Sequence, residues 1–168
     1  MKDELYSPTL ALAETKATLL HINIRKEGED EILAADLKVS VVVDREILSC
    51  FARDETVGSL ADALWLPDEA GTPRYPELSE FKLCNIFKDH ELIIDEINLR
   101  FRGVKVKKFV ARPLDGFLLG MGFSVAIYPS PQEIGRLADF LDEELRIRIA
   151  PPMQLDLSGS NVTSISDG

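Results

Sequence analysis

The stretch VKVKKFVARPLDGFLLGMGFSVAIYPSPQEIGRLADFLDEELRIRI, residues Val104–Ile149, carries the densest structural signals in the chain. Val104 and Val106 alternate with Lys105 and Lys107, the period of a strand with one buried face. Pro113-Leu114-Asp115-Gly116 supplies turn chemistry. Phe117, Leu119, Met121, Phe123, Val125 and Ile127 then form a long apolar face. Opposite them lie Leu118 and the small residues Gly120, Gly122, Ser124 and Ala126, which let the strand bend or another layer approach closely. Ser130-Pro131-Gln132-Glu133 is a helix start: Ser130 as N-cap, Pro131 at N1, and Glu133 reaching back to complete a capping box. Ile134, Leu137, Ala138 and Leu141 make the expected apolar stripe. Leu145, Ile147 and Ile149 alternate with Arg146 and Arg148 in a closing strand, which Pro151-Pro152 ends.

Residues 16–52 resemble a looser copy of the first three parts. Leu20, Ile22 and Ile24 alternate with His21, Asn23 and Arg25. A polar turn follows at 27–31, then Ala35, Leu37, Val39, Val41 and Val43 on one face of a second strand. Asp44 is the N-cap of a short helix from Arg45 to about Ala52, with Ile47, Leu48 and Phe51 inward. Between the copies, 53–79 is an irregular loop. Pro67, Gly71, Pro73 and Pro76 forbid a long element there, and Trp65 is its anchor to the core. Phe81, Leu83, Asn85 and Phe87, then Leu92-Ile93-Ile94, predict a hairpin turning at 88–90. The expected fold is α+β: an antiparallel β-sheet built from two pseudo-symmetric β-β-α units, with short helices on one side. It forms a single domain over 16–150, the repeat being 16–52 and 104–149. Residues 1–15 read as a lead-in and 151–168 as a flexible tail.

The 168 residues suit one domain, and 45% apolar with 29% charged residues is a globular composition. The formal net charge of −10 disfavours indiscriminate binding to phosphate backbones, but a local basic patch can still bind. Two cysteines, Cys50 and Cys84, without a CxxC spacing argue against a disulfide framework or a zinc knuckle and for a reducing cytoplasm. No apolar run approaches the ~18 residues of a membrane span. Lys2-Asp3-Glu4-Leu5 is an ER-retention signal at the wrong end, and Asn161-Val162-Thr163 means nothing without secretion.

No catalytic constellation is visible, and no cofactor or metal is expected. His21 and His90 have no adjacent nucleophile, and His90 falls in the predicted turn. The one uneven charge feature is basic: Arg100, Arg102, Lys105, Lys107, Lys108 and Arg112 lie between Glu96 and Asp115 with no acid among them. Alternation puts Arg100 and Arg102 on one face and Lys105, Lys107 and Phe109 on the other. Cations for the backbone with a ring for base stacking are what a single-stranded nucleic-acid groove uses. The alternative surface is acidic: Asp139, Asp142, Glu143 and Glu144 close a helix, where the dipole disfavours negative charge and an external cation would be welcome.

Several short motifs resemble a set of small uncharacterised bacteriophage and prophage early-region proteins. They are Pro73-Arg74-Tyr75-Pro76-Glu77-Leu78, Ile93-Ile94-Asp95, Val104-Lys105-Val106-Lys107-Lys108-Phe109, Ile134-Gly135-Arg136-Leu137 and Glu144-Leu145-Arg146-Ile147. The similarity spans roughly 73–150. Val104 stands where that group carries Cys, and Leu114-Asp115-Gly116 replaces its Glu-Gly-Gly turn. The resemblance implies a phage protein encoded near recombination genes and carries over no catalytic residue. The expectation is therefore a non-enzymatic phage binding protein that assists DNA replication or recombination through single-stranded DNA or a recombinase. The alternative is an acidic inhibitor of a host nucleic-acid-handling defence, of the anti-CRISPR or DNA-mimic type. Expected partners are single-stranded DNA or a DNA-handling protein, or in the alternative a host defence protein, with no membrane; a homo-oligomer is left open.

Overall fold

A computed structural model describes residues 9–51 and 57–152. It is mostly antiparallel sheet with a few short helices. The strands are β1 (Leu12–Glu27), β2 (Ile32–Asp44), β3 (Phe81–Leu83), β4 (Phe87–Ile94), β5 (Leu99–Leu114), β6 (Leu118–Ile127) and β7 (Glu144–Ala150), and the α-helices are α1 (Val57–Leu64) and α2 (Pro131–Ala138). The order is β3-β5-β4-β7-β1-β2-β6, and β6 pairs back onto β5. Six strands therefore close into a ring, β1-β2-β6-β5-β4-β7, and β3 continues the line of β4 along the same edge of β5. Closing a sheet on itself removes exposed edges wherever strands overlap.

Alternation fills the inside of this ring. Ala35, Leu37, Val39 and Val41 of β2 face Leu119, Met121, Phe123, Val125 and Ile127 of β6, all buried. The centre is aromatic: Phe109 lies 5.6 Å from Phe87, 5.5 Å from Phe123 and 4.8 Å from Phe51. The three contacts among Phe51, Phe87 and Phe109 are all edge-to-face, the arrangement the ring quadrupole favours.

Bulges adapt the strands to the curvature, and several overturn part of simple alternation. The β1–β2 register slips between Leu19 and His21, so Leu19 is buried while Leu20 is 41% exposed and Ile24 51% exposed. The predicted inward set Leu20, Ile22, Ile24 is thus corrected to Ala17 and Leu19, then Ile22. On β4 the shift centres on Asp89, at φ +61°. No turn stands at 88–90: β4 runs straight through, its chain breaks from β3 at 84–86, and the two pair with β5 rather than with each other. His90 is therefore a fully buried strand residue. Its Nδ1 bonds the Lys88 carbonyl at 2.8 Å and its Nε2 accepts the Leu10 N–H at 2.9 Å, so both ring nitrogens have a partner.

The capping box forms as read, with Ser130 Oγ accepting from Glu133 N and Glu133 Oε1 accepting from Ser130 N. Of the expected stripe on α2 only Leu137 is buried; the helix ends at Ala138 and Leu141 is 41% exposed. After β2 the chain makes a 3₁₀-helix, Arg45–Cys50, capped by Asp44.

The irregular loop closes one end of the ring. Trp65 is 1% exposed and its Nε1–H donates to the Leu114 carbonyl at 2.9 Å. The Gly116 N–H donates to Ala70 and Gly71, and the Arg45 guanidinium sits 4.1 Å above the Phe117 ring. Gly71, at φ +66°, lies so close that a Cβ would fall 2.4 Å from the Phe117 nitrogen. Gly28, at φ +73°, has nothing within 4 Å. Gly71→Ala adds a backbone clash to the ~1 kcal/mol left-handed strain that Gly28→Ala alone would show. Urea denaturation should find Gly71→Ala the more destabilising by about 2 kcal/mol or more.

Candidate functional site

The six cations of β5 sit where two bulges put them. Arg102 and Gly103 together oppose Glu91 of β4, and Gly103 takes φ +66°. That extra residue inverts the parity of everything after it. Leu99 and Phe101 face inward before it, Val104 and Val106 after it. Arg100, Arg102, Lys105 and Lys107 consequently share the outer face, although strict alternation would have split them into two pairs.

A second shift, between Lys107 and Val110, inverts the parity again. Lys108 adopts φ +60°, and Phe109 turns into the ring, 1% exposed. The expected place of Phe109 beside Lys105 and Lys107 is therefore corrected. Its ring belongs to the aromatic centre and offers no face to a base. Val110 turns outward instead, followed by Arg112 and Leu114.

The outer face of β5 adjoins an open groove of about 870 Å³ that crosses to β6, β2 and β1. Gly120, Gly122 and Ser124 form its floor. A Cβ on Gly122 would sit 3.2 Å from the Val110 side chain, so the small residues of β6 make room for a neighbour already present. The rim carries Lys108 and Arg112 of the predicted strip together with Lys38 and His21, against Asp36 and Glu80. Lys38 escaped sequence reading because it is distant in the chain and reaches β5 only through the β2–β6 pairing. No local signal marks it.

The strip divides electrostatically. Arg100 and Arg102 clamp Glu91, at 3.5 and 2.9 Å. Asp36 accepts two bonds from Arg25, at 3.0 and 3.2 Å. That pair holds the Asp36 carboxyl below its ordinary value, helped by the charges of Arg25, Lys107 and Lys108. Arg25 also contacts Glu27. Lys105 and Arg112 have no carboxylate partner among the described residues. The alternative acidic residues Asp139, Asp142, Glu143 and Glu144 are all exposed. The backbone at 142–143 clips the β1 bulge: Asp142 N–H donates to Leu19 O at 2.6 Å and Leu19 N–H to Glu143 O at 3.2 Å.

Among the described residues no group of three or more His, Cys, Asp or Glu side chains is placed to hold a metal ion, and no helix is long and apolar enough to cross a membrane. Cys50 and Cys84 are free thiols, the first half-buried and the second exposed.

No protein-family model matches the chain. No curated protein and no solved structure matches it.

Two outcomes follow from this geometry. Phe109→Ala should cost about 3–5 kcal/mol of stability, as emptied aromatic core positions do, read as a lowered denaturation midpoint. Asp36 has a lowered folded-state pKa, so its pair with Arg25 stabilises the fold above the ordinary value of 3.8 and is lost as pH falls through the lowered one. Asp36→Asn should therefore be less stable than the parent at neutral pH, with the gap closing in strong acid; a pH series of urea melts measures it.

Proposed function

We propose that the protein is a non-enzymatic binding protein that takes single-stranded nucleic acid along the outer face of β5, in the service of phage DNA replication or recombination. The observation that carries this reading is the Gly103 bulge, which gathers on one face cations that plain alternation would have divided. From Arg100 to Arg112 that face runs roughly 40 Å at the ordinary rise of a strand, enough to follow several phosphates. Lys38 widens the rim of the groove at the β6 side. The surface offers charge without an exposed ring from Phe109, so contact is expected to be with the backbone and weakly selective for sequence.

The net charge of −10 supplies the counterweight: phosphate is repelled except where these cations cluster. A second reading, contact of Asp139, Asp142, Glu143 and Glu144 with a basic site on a host defence protein, is favoured by their common exposure at one corner. Capture of a nuclease or CRISPR component from host lysate, lost on neutralising the four acids, would support it; nucleic-acid binding that is indifferent to those acids would count against it.

We also read β1–β2 with its 3₁₀-helix and β5–β6 with α2 as two uses of one unit. In support, β2 and β6 pair with each other from Ala35↔Ile127 to Asp44↔Leu118, and the first strand of each hairpin carries a bulge. Experimental coordinates in which the hairpins do not superpose bulge on bulge would discard it.

The binding test is fluorescence anisotropy with a labelled oligonucleotide of about 15 nucleotides, a span within that of small single-strand binding folds. Affinity should fall with salt, with a slope of about −0.7 per phosphate neutralised. Reversing Lys105, Lys107 and Lys108 to Glu should weaken binding by at least about tenfold and flatten that slope. Charge removal at Arg100 should do less, because Glu91 already occupies it. Absence of binding at low salt overturns the reading.

A further inference from the structure

We infer that the second half of β1, Leu20–Lys26, is a self-pairing edge that joins two copies of this chain into a dimer. β2 occupies one side of β1 as far as Glu27, whereas β7 pairs with the other side only as far as Thr18. The backbone at 142–143 extends that cover to Leu19. Beyond it, among the described residues, no strand lies on that side of Leu20–Lys26. Among the described residues this is the longest stretch of strand edge without a partner; β3, the one strand outside the ring, has only three residues.

Natural edges are guarded by proline, by charge or by a bulge that turns them away. Leu20–Lys26 contains no proline and no acid. Its two cations are already engaged, Arg25 by Asp36 and Glu27 and Lys26 by Glu31 at 3.6 Å. Its one bulge lies at the start, at Leu20, and leaves the rest regular. Ile24 is half-exposed and Ile22 is only partly covered. An unpaired edge with apolar side chains along one face is what strand addition uses.

The sequence of the edge selects the partner. An antiparallel pairing of two copies centred on Asn23 sets Ile22 opposite the partner's Ile24, and Ile24 opposite the partner's Ile22. Both apolar pairs fall on the same face, and the two Asn23 amides meet at the two-fold axis. Such an isologous contact closes after two copies and propagates no further. Directly opposed side chains in this pairing have Cβ atoms about 4.5–5.5 Å apart, the distance at which cross-strand pairs stabilise a sheet. Leu20, His21 and Asn23 also line the groove described above. The two-fold would therefore set two grooves side by side on one continuous sheet. Dimerisation does not depend on nucleic-acid binding and can fail or hold separately from it.

Light scattering on the full chain, from low micromolar to near-millimolar concentration, should show a concentration-dependent dimer. Ile24→Lys places a charge at an exposed position and should raise the dissociation constant by at least about tenfold without lowering the denaturation midpoint of the monomer. The register is read by cross-linking in a Cys84→Ser background. Asn23→Cys should form a covalent dimer under mild oxidation. His21→Cys and Arg25→Cys should not, because each faces the other position in the partner. A monomer at every concentration, a dimer indifferent to Ile24→Lys, or cross-linking at position 21 or 25 in place of 23 overturns the proposal.

Discussion

Strand β5 has a partner on both edges, β6 on one and β3 with β4 on the other, and the seam with β6 closes the ring. A sixteen-residue strand cannot follow so tight a curve with an unbroken ladder, and the strain is relieved at two places, Gly103 and Lys108. Each extra residue turns the following side chains over. The aromatic centre and the basic surface are both products of those two inversions. The first keeps Lys105 and Lys107 with Arg100 and Arg102; the second drives Phe109 inward against Phe51, Phe87 and Phe123. Core and candidate site are thus coupled: the bend that fills one orients the other.

The loop after α1 depends on the same strand. Trp65 hangs from the Leu114 carbonyl, Gly116 donates to Ala70 and Gly71, and Phe117 carries Arg45 on its ring. The β5–β6 turn is the anchor to which a segment poor in secondary structure of its own is tied. The carbonyls of Ala70 and Gly71 find their partner on that turn, and Leu66, Arg74 and Leu78 bond within the loop itself, so this proline-rich excursion satisfies its backbone without a long element.

Chemically, the outer face of β5 is a row of charges. Its cations differ in availability. Glu91 holds two, Asp36 is held by Arg25 while its charge reaches Lys107 and Lys108, and Lys105 and Arg112 are free of carboxylates among the described residues. A polyanion laid on this face, as proposed above, would meet Lys105 and Arg112 without displacing a carboxylate, whereas Arg100 and Arg102 would have to leave Glu91. His90, the one fully buried titratable side chain among the described residues, serves the fold by bonding Leu10 and Lys88 at the wall of the ring.

Local chemistry determined much of this protein from the sequence alone. The strand–turn–strand–helix–strand run of 104–149, the Ser130 capping box and the Asp44 cap are written in residues a few positions apart, and short-range sterics and hydrogen bonding suffice to produce them. The cationic run 100–112 is equally legible. Only tertiary structure decided that the sheet closes, because the β5–β6 and β2–β6 pairings, and the β4–β7 contact completing the ring, depend on a curvature that no single strand encodes. Bulges follow from that curvature. A period of two carries no record of where an extra residue is inserted, so Leu20, His90 and Phe109 were each assigned to the wrong surroundings. The same limit kept Lys38 out of sight: it reaches the basic rim through the neighbouring strand, across more than sixty residues of chain.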